Sequence, residues 1–341
     1  MVLTGPLEPT RARVAKTFPV GPDWIYEPKW DGFRCLLFRQ GSHVHLQSRS
    51  LKDLTRGFPE IVSAAQQIHP NSFVLDGELA IPSSNGFSFD LLVNRLRLRT
   101  NSERFRHELA ETPAIYIVFD MLAGRESLLE QPFCKRRAAL QRFFRTTKPP
   151  SPPIYLSAST SDLKTVEGWI THIGQELDGI VAKRADAPYR PGEDRAAVKI
   201  KNYRTIDCVI GGFRDRSIGS THDELLLGLY DGAGRLHYVG SVDITTTAKI
   251  VVGKLSPRKT TPFAGRQPGD FSNWNTEPSG PWRPVSPQKV VEVRYDHFSD
   301  GRFRHTCTLV RFRPDKTPEG CVLEEQAGPP VFKALLAGRQ K

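Results

Sequence analysis

The chain has 341 residues, 38% of them hydrophobic and 25% charged, and a formal net charge of +11. That length exceeds one ordinary domain and suits two, each with enough apolar residues to bury a core. The composition excludes a disordered chain, no apolar run is long enough to span a bilayer, and the basic excess points to a polyanionic partner, nucleic acid first.

A proline-containing arm precedes Glu27 and lacks a secretory apolar region. FRCLLFRQGSHVHLQSR predicts a hairpin turning near Gly41-Ser42, and FPEIVSAAQQI predicts a helix with Phe58, Ile61, Ala65 and Ile68 near one face. SFVLDGELAIP reads as a strand stopped by Pro82. FDLLVNRLRLRTNSERFRHELAE reads as two helices, the second capped by Asn101 or Ser102. Its arginine-rich centre is a candidate phosphate-contacting surface. AIYIVFDML is a buried strand with Phe119 and Asp120 at its end. CKRRAALQRFFR and DLKTVEGWITHIGQEL are amphipathic helices, the first followed by the proline-rich loop TTKPPSPPIY. GIVAKR and AAVKIK are short strands. Past Lys201 helical periodicity fades, and strands with Asp-Gly and Gly turns predict a small all-β barrel or sandwich. The boundary falls in NYRTID, residues 202–207. The stretch from Pro257 to Pro287, with Trp274 and Trp282, predicts long loops. The five cysteines are scattered, with no CxxC pair, which fits a reducing intracellular compartment and no zinc module.

The chemistry concentrates at EPKWDGFR, residues 27–34. A lysine is a poor nucleophile at neutral pH unless desolvation or neighbouring cations favour its neutral amine. Trp30 and Phe33 can dry the site, Asp31-Gly32 can form a tight loop, and Glu27 suits an acceptor for a ligand. Glu78 lies in an apolar strand, where an unpaired carboxylate is costly. Asp178 and Lys183 flank an apolar core in LDGIVAKR, and Lys199 and Lys201 share one strand face. Each segment alone has a bland reading as a turn, an edge or a solvated face; in this order they point together to nucleotide chemistry.

The ordered set EPKWDGFR, QSRS, LDGELAI, VFDML, LDGIVAKR, AVKIK and RPDK resembles the covalent nucleotidyltransferase superfamily, most closely ATP-dependent DNA ligases of the bacterial ligase C type. The resemblance spans about Glu27 to Lys316. It implies an α+β chain: a nucleotidyltransferase (ATP-grasp-like ligase core) domain with antiparallel sheets over residues 1–203, then an all-β OB-fold domain over 204–341. It implies that Lys29 attacks the α-phosphate of ATP and becomes adenylated, with Asp31 near the reacting phosphate. Glu27 would meet the adenine edge, Arg34 the ribose, Arg49 the nucleotide and then the nick 5′-phosphate, and Phe119 would stack on adenine. Lys183 fits the lysine of the fourth motif. Glu78 and Asp178 would hold Mg2+ (or Mn2+), Asp178 replacing the usual Glu one methylene longer. Lys199 and Lys201 would bind phosphate, and Arg313, Asp315 and Lys316 would orient pyrophosphate as the leaving group. The implied activity is that of DNA ligase (ATP), sealing nicked double-stranded DNA in repair. The expected setting is a bacterial, nucleoid-associated cytoplasmic monomer with no membrane partner, working with a Ku-type end-binding protein. The alternatives are an mRNA guanylyltransferase or RNA ligase, and a non-catalytic OB-type DNA-binding protein.

Overall fold

The computed structural model describes residues 3, 5–83, 86–149, 152–173, 177–214, 223–244, 255–270, 281–299, 301–323 and 331–337. Two compact units emerge: residues 1–202 with 327–341, and residues 203–326.

In the first unit the chain runs β1 (Arg13–Val14), β2 (Trp24–Lys29), β3 (Phe33–Gln40), β4 (His43–Ser48), α1 (Pro59–Gln66), β5 (Ser72–Ala80), β6 (Pro82–Ser83), β7 (Gly86–Phe87), α2 (Phe89–Arg97), α3 (Glu103–Glu111), β8 (Ile115–Ala123), α4 (Phe133–Thr147), β9 (Ile154–Ser157), α5 (Leu163–Ile173), β10 (Gly179–Arg184) and β11 (Ala197–Lys201). One sheet has the order β1-β11-β10-β2, and the other is β9-β8-β5-β3-β4 with a last strand, Leu336–Ala337, added beside β9. That C-terminal strand, expected in the barrel domain, pairs Leu336 with Ser157 of the first unit.

The hairpin turns at Gly41, whose φ of +63° suits glycine. α3 takes Ser102 as its cap: the hydroxyl accepts the Phe105 N–H at 3.1 Å. Pro28 is tolerated inside β2 because β2 is an edge strand. The helix expected from DLKTVEGWITHIGQEL is described only through Ile173; residues 150–151 of the proline-rich loop and Trp274 fall outside the described residues.

The arginine-rich surface needs one correction. Arg95 is 1% exposed and donates to Glu60 at 2.9 Å and to the carbonyls of Glu108 and Thr112 at 3.1 and 2.5 Å. It lies one turn after buried Leu92 on the inner face of α2, so it ties helices together, whereas Arg97, Arg99, Arg104 and Arg106 are exposed.

α4 is anchored to β8 by a bidentate pair: Arg136 Nε and Nη2 donate to Asp120 at 3.0 and 2.9 Å, both side chains 4% exposed. Asp120→Ala would strand a buried guanidinium. It is expected to destabilise the protein by about 3–5 kcal/mol, with the double variant Asp120→Leu/Arg136→Met losing less, as read by urea unfolding.

The second unit contains β12 (Arg204–Arg214), β13 (Asp223–Tyr230), β14 (Leu236–Ile244), β15 (Arg283–Pro284), β16 (Val290–Tyr295), β17 (Phe298–Ser299), β18 (Arg302–Phe303) and β19 (Cys307–Phe312); Leu336–Ala337 above is β20. β12 pairs with both β13 and β16, and β14 pairs parallel with β19, so β12-β13-β14-β19-β16 close into a five-stranded barrel. That is the strand order of an OB-like domain. Its core is mainly aliphatic, built on Val209, Leu225, Leu227, Val242 and Val291, with Tyr238, Phe263 and Phe303 among them.

Candidate nucleotide site

Directly opposed residues of a sheet point to the same side. In the first sheet Lys29 opposes Gly179, which opposes Lys201; Glu27 opposes Val181, which opposes Lys199. One face therefore carries Glu27, Lys29, Lys183, Lys199 and Lys201. The other face carries Tyr26, Ile180 and Ala182, which pack with Val166 under α5. The second sheet offers Arg34, Asp76 and Glu78 on a common face, since Arg34 opposes Glu78 and Leu36 opposes Asp76. Phe119 lies in mid-strand, not at the strand end expected. It is the extra residue of a bulge: Asp76 opposes Asp120, and Gly77 opposes Val118.

Lys29 ends β2, and its Nζ ion-pairs with the Asp178 carboxylate. Gly179 has φ +139°, and a Cβ there would stand 2.1 Å from the Ile200 carbonyl oxygen. Gly32 meets Leu79 at the same distance, so both Asp-Gly steps let backbones close around the lysine. Trp30 is buried and donates to Ser157 Oγ at 2.9 Å. The Lys199 ammonium is held below its ordinary value by burial, with Lys29, Lys201 and exposed Arg49 adding repulsion. These cations form one electropositive group suited to a polyphosphate. Asp31, two residues after Lys29, is buried.

Burial pushes the Glu78 carboxyl up to about 8; Asp31 and Asp76 add to this while Lys29 and Arg34 oppose it. Its folded value exceeds its ordinary 4.5, so its contribution to stability is full below about 4.5 and is lost as pH rises through about 8. Glu78→Gln is therefore expected to stabilise the protein at pH 9 relative to pH 5. Glu78 is only partly buried, so screening leaves about 1–2 kcal/mol. Denaturant unfolding of both proteins at the two pH values checks it.

Arg34 Nε and Nη2 donate to Asp76 at 2.5 and 2.6 Å, and the guanidinium carbon lies 4.6 Å from the Phe119 ring centre. Lys183 Nζ is 4.5 Å from the same ring and 2.6 Å from Glu27. The other Glu27 oxygen lies 3.2 Å from Arg137 of α4. Glu27, expected as an acceptor for a ligand, is 2% exposed between two cations. In the second unit Arg313 donates to Asp207 at 3.0 Å and to Asp315 at 2.8 Å, while Lys316 is half-exposed at 3.9 Å from Asp207. Asp315 falls to about 2, held down by its bond from Arg313.

Sequence reasoning missed Asp76, Arg137 and Asp207. Asp76 sits two residues before Glu78 in the same apolar strand, the same signal that marked Glu78. Arg137 carries no local signal, because its partner Glu27 is 110 residues away.

The family model described as "ATP dependent DNA ligase domain" matches residues 8–201, and one described as "ATP dependent DNA ligase C terminal region" matches residues 219–316. The chain belongs to the ATP-dependent DNA ligase family. This ligase is 36% identical over 354 residues to DNA ligase C2 of Mycolicibacterium smegmatis, covering 98% of each chain. It is 37% identical to DNA ligase C of Mycobacterium tuberculosis, covering 93% of this chain and 92% of that one. A solved mycobacterial DNA ligase D complexed with ATP and MES superposes with a TM-score of 0.50 at 27% identity, covering 93% of this ligase and 98% of that chain. The expected α+β class, with an OB-like C-terminal region, agrees with these relatives.

Proposed function

We propose that this ligase seals nicks in duplex DNA through a lysine-linked AMP, in a repair role. The observation that carries the reading is the single sheet face on which Lys29 sits with Lys199 and Lys201, flanked by Arg49 and by Glu78 of the second sheet. Lys29 would attack the α-phosphorus of ATP as the bond to pyrophosphate breaks, forming a phosphoramidate. The AMP passes to a DNA 5′-phosphate, and the 3′-hydroxyl then displaces it. Arg34 and Phe119 would hold the nucleoside, with Glu27 and Lys183 behind it; Arg313, Asp315 and Lys316 would act on pyrophosphate. The surrounding cations would offset negative charge on the phosphates.

Among the described residues no three His, Cys, Asp or Glu side chains could hold a metal by themselves. Mg2+ needs only one or two carboxylates beside substrate phosphates, and Glu78 and Asp178 next to Lys29 fit that demand. When bound, the metal would neutralise phosphate charge. On family resemblance alone the reading extends to adenylation by residues 1–203 with an OB-fold over 204–341, to a monomer, and to a Ku-type partner in the bacterial nucleoid.

The test is incubation of the full chain with Mg2+ and ATP labelled at the α- or γ-phosphate, or with labelled GTP, followed by a denaturing gel and peptide mapping. Acid-labile label from α-labelled ATP only, mapped to Lys29 and chased into sealed duplex, is expected. Label from GTP would favour the guanylyltransferase reading. No label in folded, unadenylated protein would leave a DNA-binding module.

A further inference from the structure

Tyr189 is buried at 1% exposure, outside every motif used above, and its hydroxyl is engaged on both sides. It donates to Asp76 Oδ2 at 2.8 Å and accepts the Thr10 N–H at 3.3 Å. Asp76, itself 0% exposed, spends both oxygens on Arg34, whose guanidinium lies against Phe119. A continuous series of bonds thus runs from the N-terminal arm to the arginine over the candidate base-stacking ring. The arm is well fixed at the other contacts it makes. Leu7 exchanges two hydrogen bonds with the Gln47 side chain at 3.0 and 2.6 Å, and Leu3 and Leu7 pack on the apolar cluster that contains Tyr189. The Arg11 N–H reaches the Glu193 carbonyl at 2.8 Å, and Val14 pairs with Lys199.

We propose that Tyr189 is a positioning residue for the nucleotide, braced by the N-terminal arm and acting through Asp76 to hold Arg34 against Phe119. A carboxylate can swing about its own axis while keeping one bond to a guanidinium. A second donor fixed in the core removes that freedom, so Arg34 meets the sugar and base already oriented. The inference rests on the nucleotide reading of Arg34.

The test measures KM for ATP and kcat of self-adenylation in the full chain, with thermal midpoints, for Arg34→Ala, Tyr189→Phe and Thr10→Pro. Tyr189→Phe keeps the packed ring and removes the hydroxyl; Thr10→Pro removes the arm's N–H and leaves Tyr189 in place. Expected for Tyr189→Phe is a KM for ATP raised about five- to tenfold with kcat within twofold, and for Thr10→Pro a smaller rise in the same direction. If Tyr189→Phe fails to fold, Thr10→Pro carries the test. An unchanged KM in Tyr189→Phe beside a raised one in Arg34→Ala would overturn the proposal and leave the nucleotide site standing. A fall in kcat that tracks the thermal midpoint, with KM unmoved, would show a structural role only and overturn it too. An unchanged KM in Arg34→Ala would remove the nucleotide reading of Arg34 and the proposal together.

Discussion

Lys29→Ala is expected to abolish self-adenylation, by about 10⁴-fold or more, while the protein stays folded. The nucleophile in this reading is one nitrogen, and no neighbour can replace it: Lys199 and Lys201 both lie on β11, separated from β2 by β10, where they pair against Val181 and Gly179. The stability cost is intermediate, about 1–3 kcal/mol, because the Lys29–Asp178 pair is neither surface-exposed nor fully buried, with side chains 23% and 13% exposed. Lys29→Arg sharpens the experiment. A guanidinium keeps the positive charge and can still pair with Asp178, but it does not lose its proton at usable pH. If charge alone mattered, Lys29→Arg would retain label; if the amine is the nucleophile, it is as silent as Lys29→Ala. Labelling with α-labelled ATP, beside a thermal melt of each variant, gives the answer.

Gly179→Ala is the second large effect. Its added methyl would meet the Ile200 carbonyl at 2.1 Å, and the φ of +139° is strained for any side chain. Neither neighbour is a flexible side-chain tip, so β10 must move away from β11. That shift displaces Asp178 from Lys29 and spoils the register that places Lys29, Gly179 and Lys201 in line. A loss of about 3 kcal/mol or more is expected, with adenylation of the surviving folded protein down at least about 100-fold. Gly168→Ala in α5 is the control. A Cβ there meets nothing within 4 Å, and the change should be neutral or stabilise by up to about 1 kcal/mol. Urea unfolding of the two variants against the parent measures both.

How much of this was legible in the sequence depended on range. Alternation and turn residues gave the β3–β4 hairpin, β5, β8 and the barrel strands, because those signals are local. β2, which carries Lys29, was not foreseen as a strand: Pro28 argues against one, and only its place at a sheet edge makes it harmless. Lys29, Lys199 and Lys201 stood out within motifs, but their sharing of one face depends on the registers of β2, β10 and β11. Arg95 was misread because a basic run looks exposed, while helical spacing turns this one residue inward. The two cations that Glu27 meets, Lys183 and Arg137, were not legible because they come from β10 and α4 far along the chain. Pairings between distant segments leave no mark in either segment alone.

The return of the chain end to β9 sets an order on synthesis. Leu335 is buried in the same cluster as Trp30 and Phe119, and β20 closes the open edge of β9. As the chain leaves the ribosome, β9 emerges about 180 residues before its last neighbour, roughly ten to forty seconds at ordinary elongation rates. For that interval a sheet edge stands uncovered and the apolar cluster of Trp30 and Phe119 lacks Leu335, although the rest of the two sheets of the first unit has been made. The first unit is thereby closed only after the whole of the barrel has been translated.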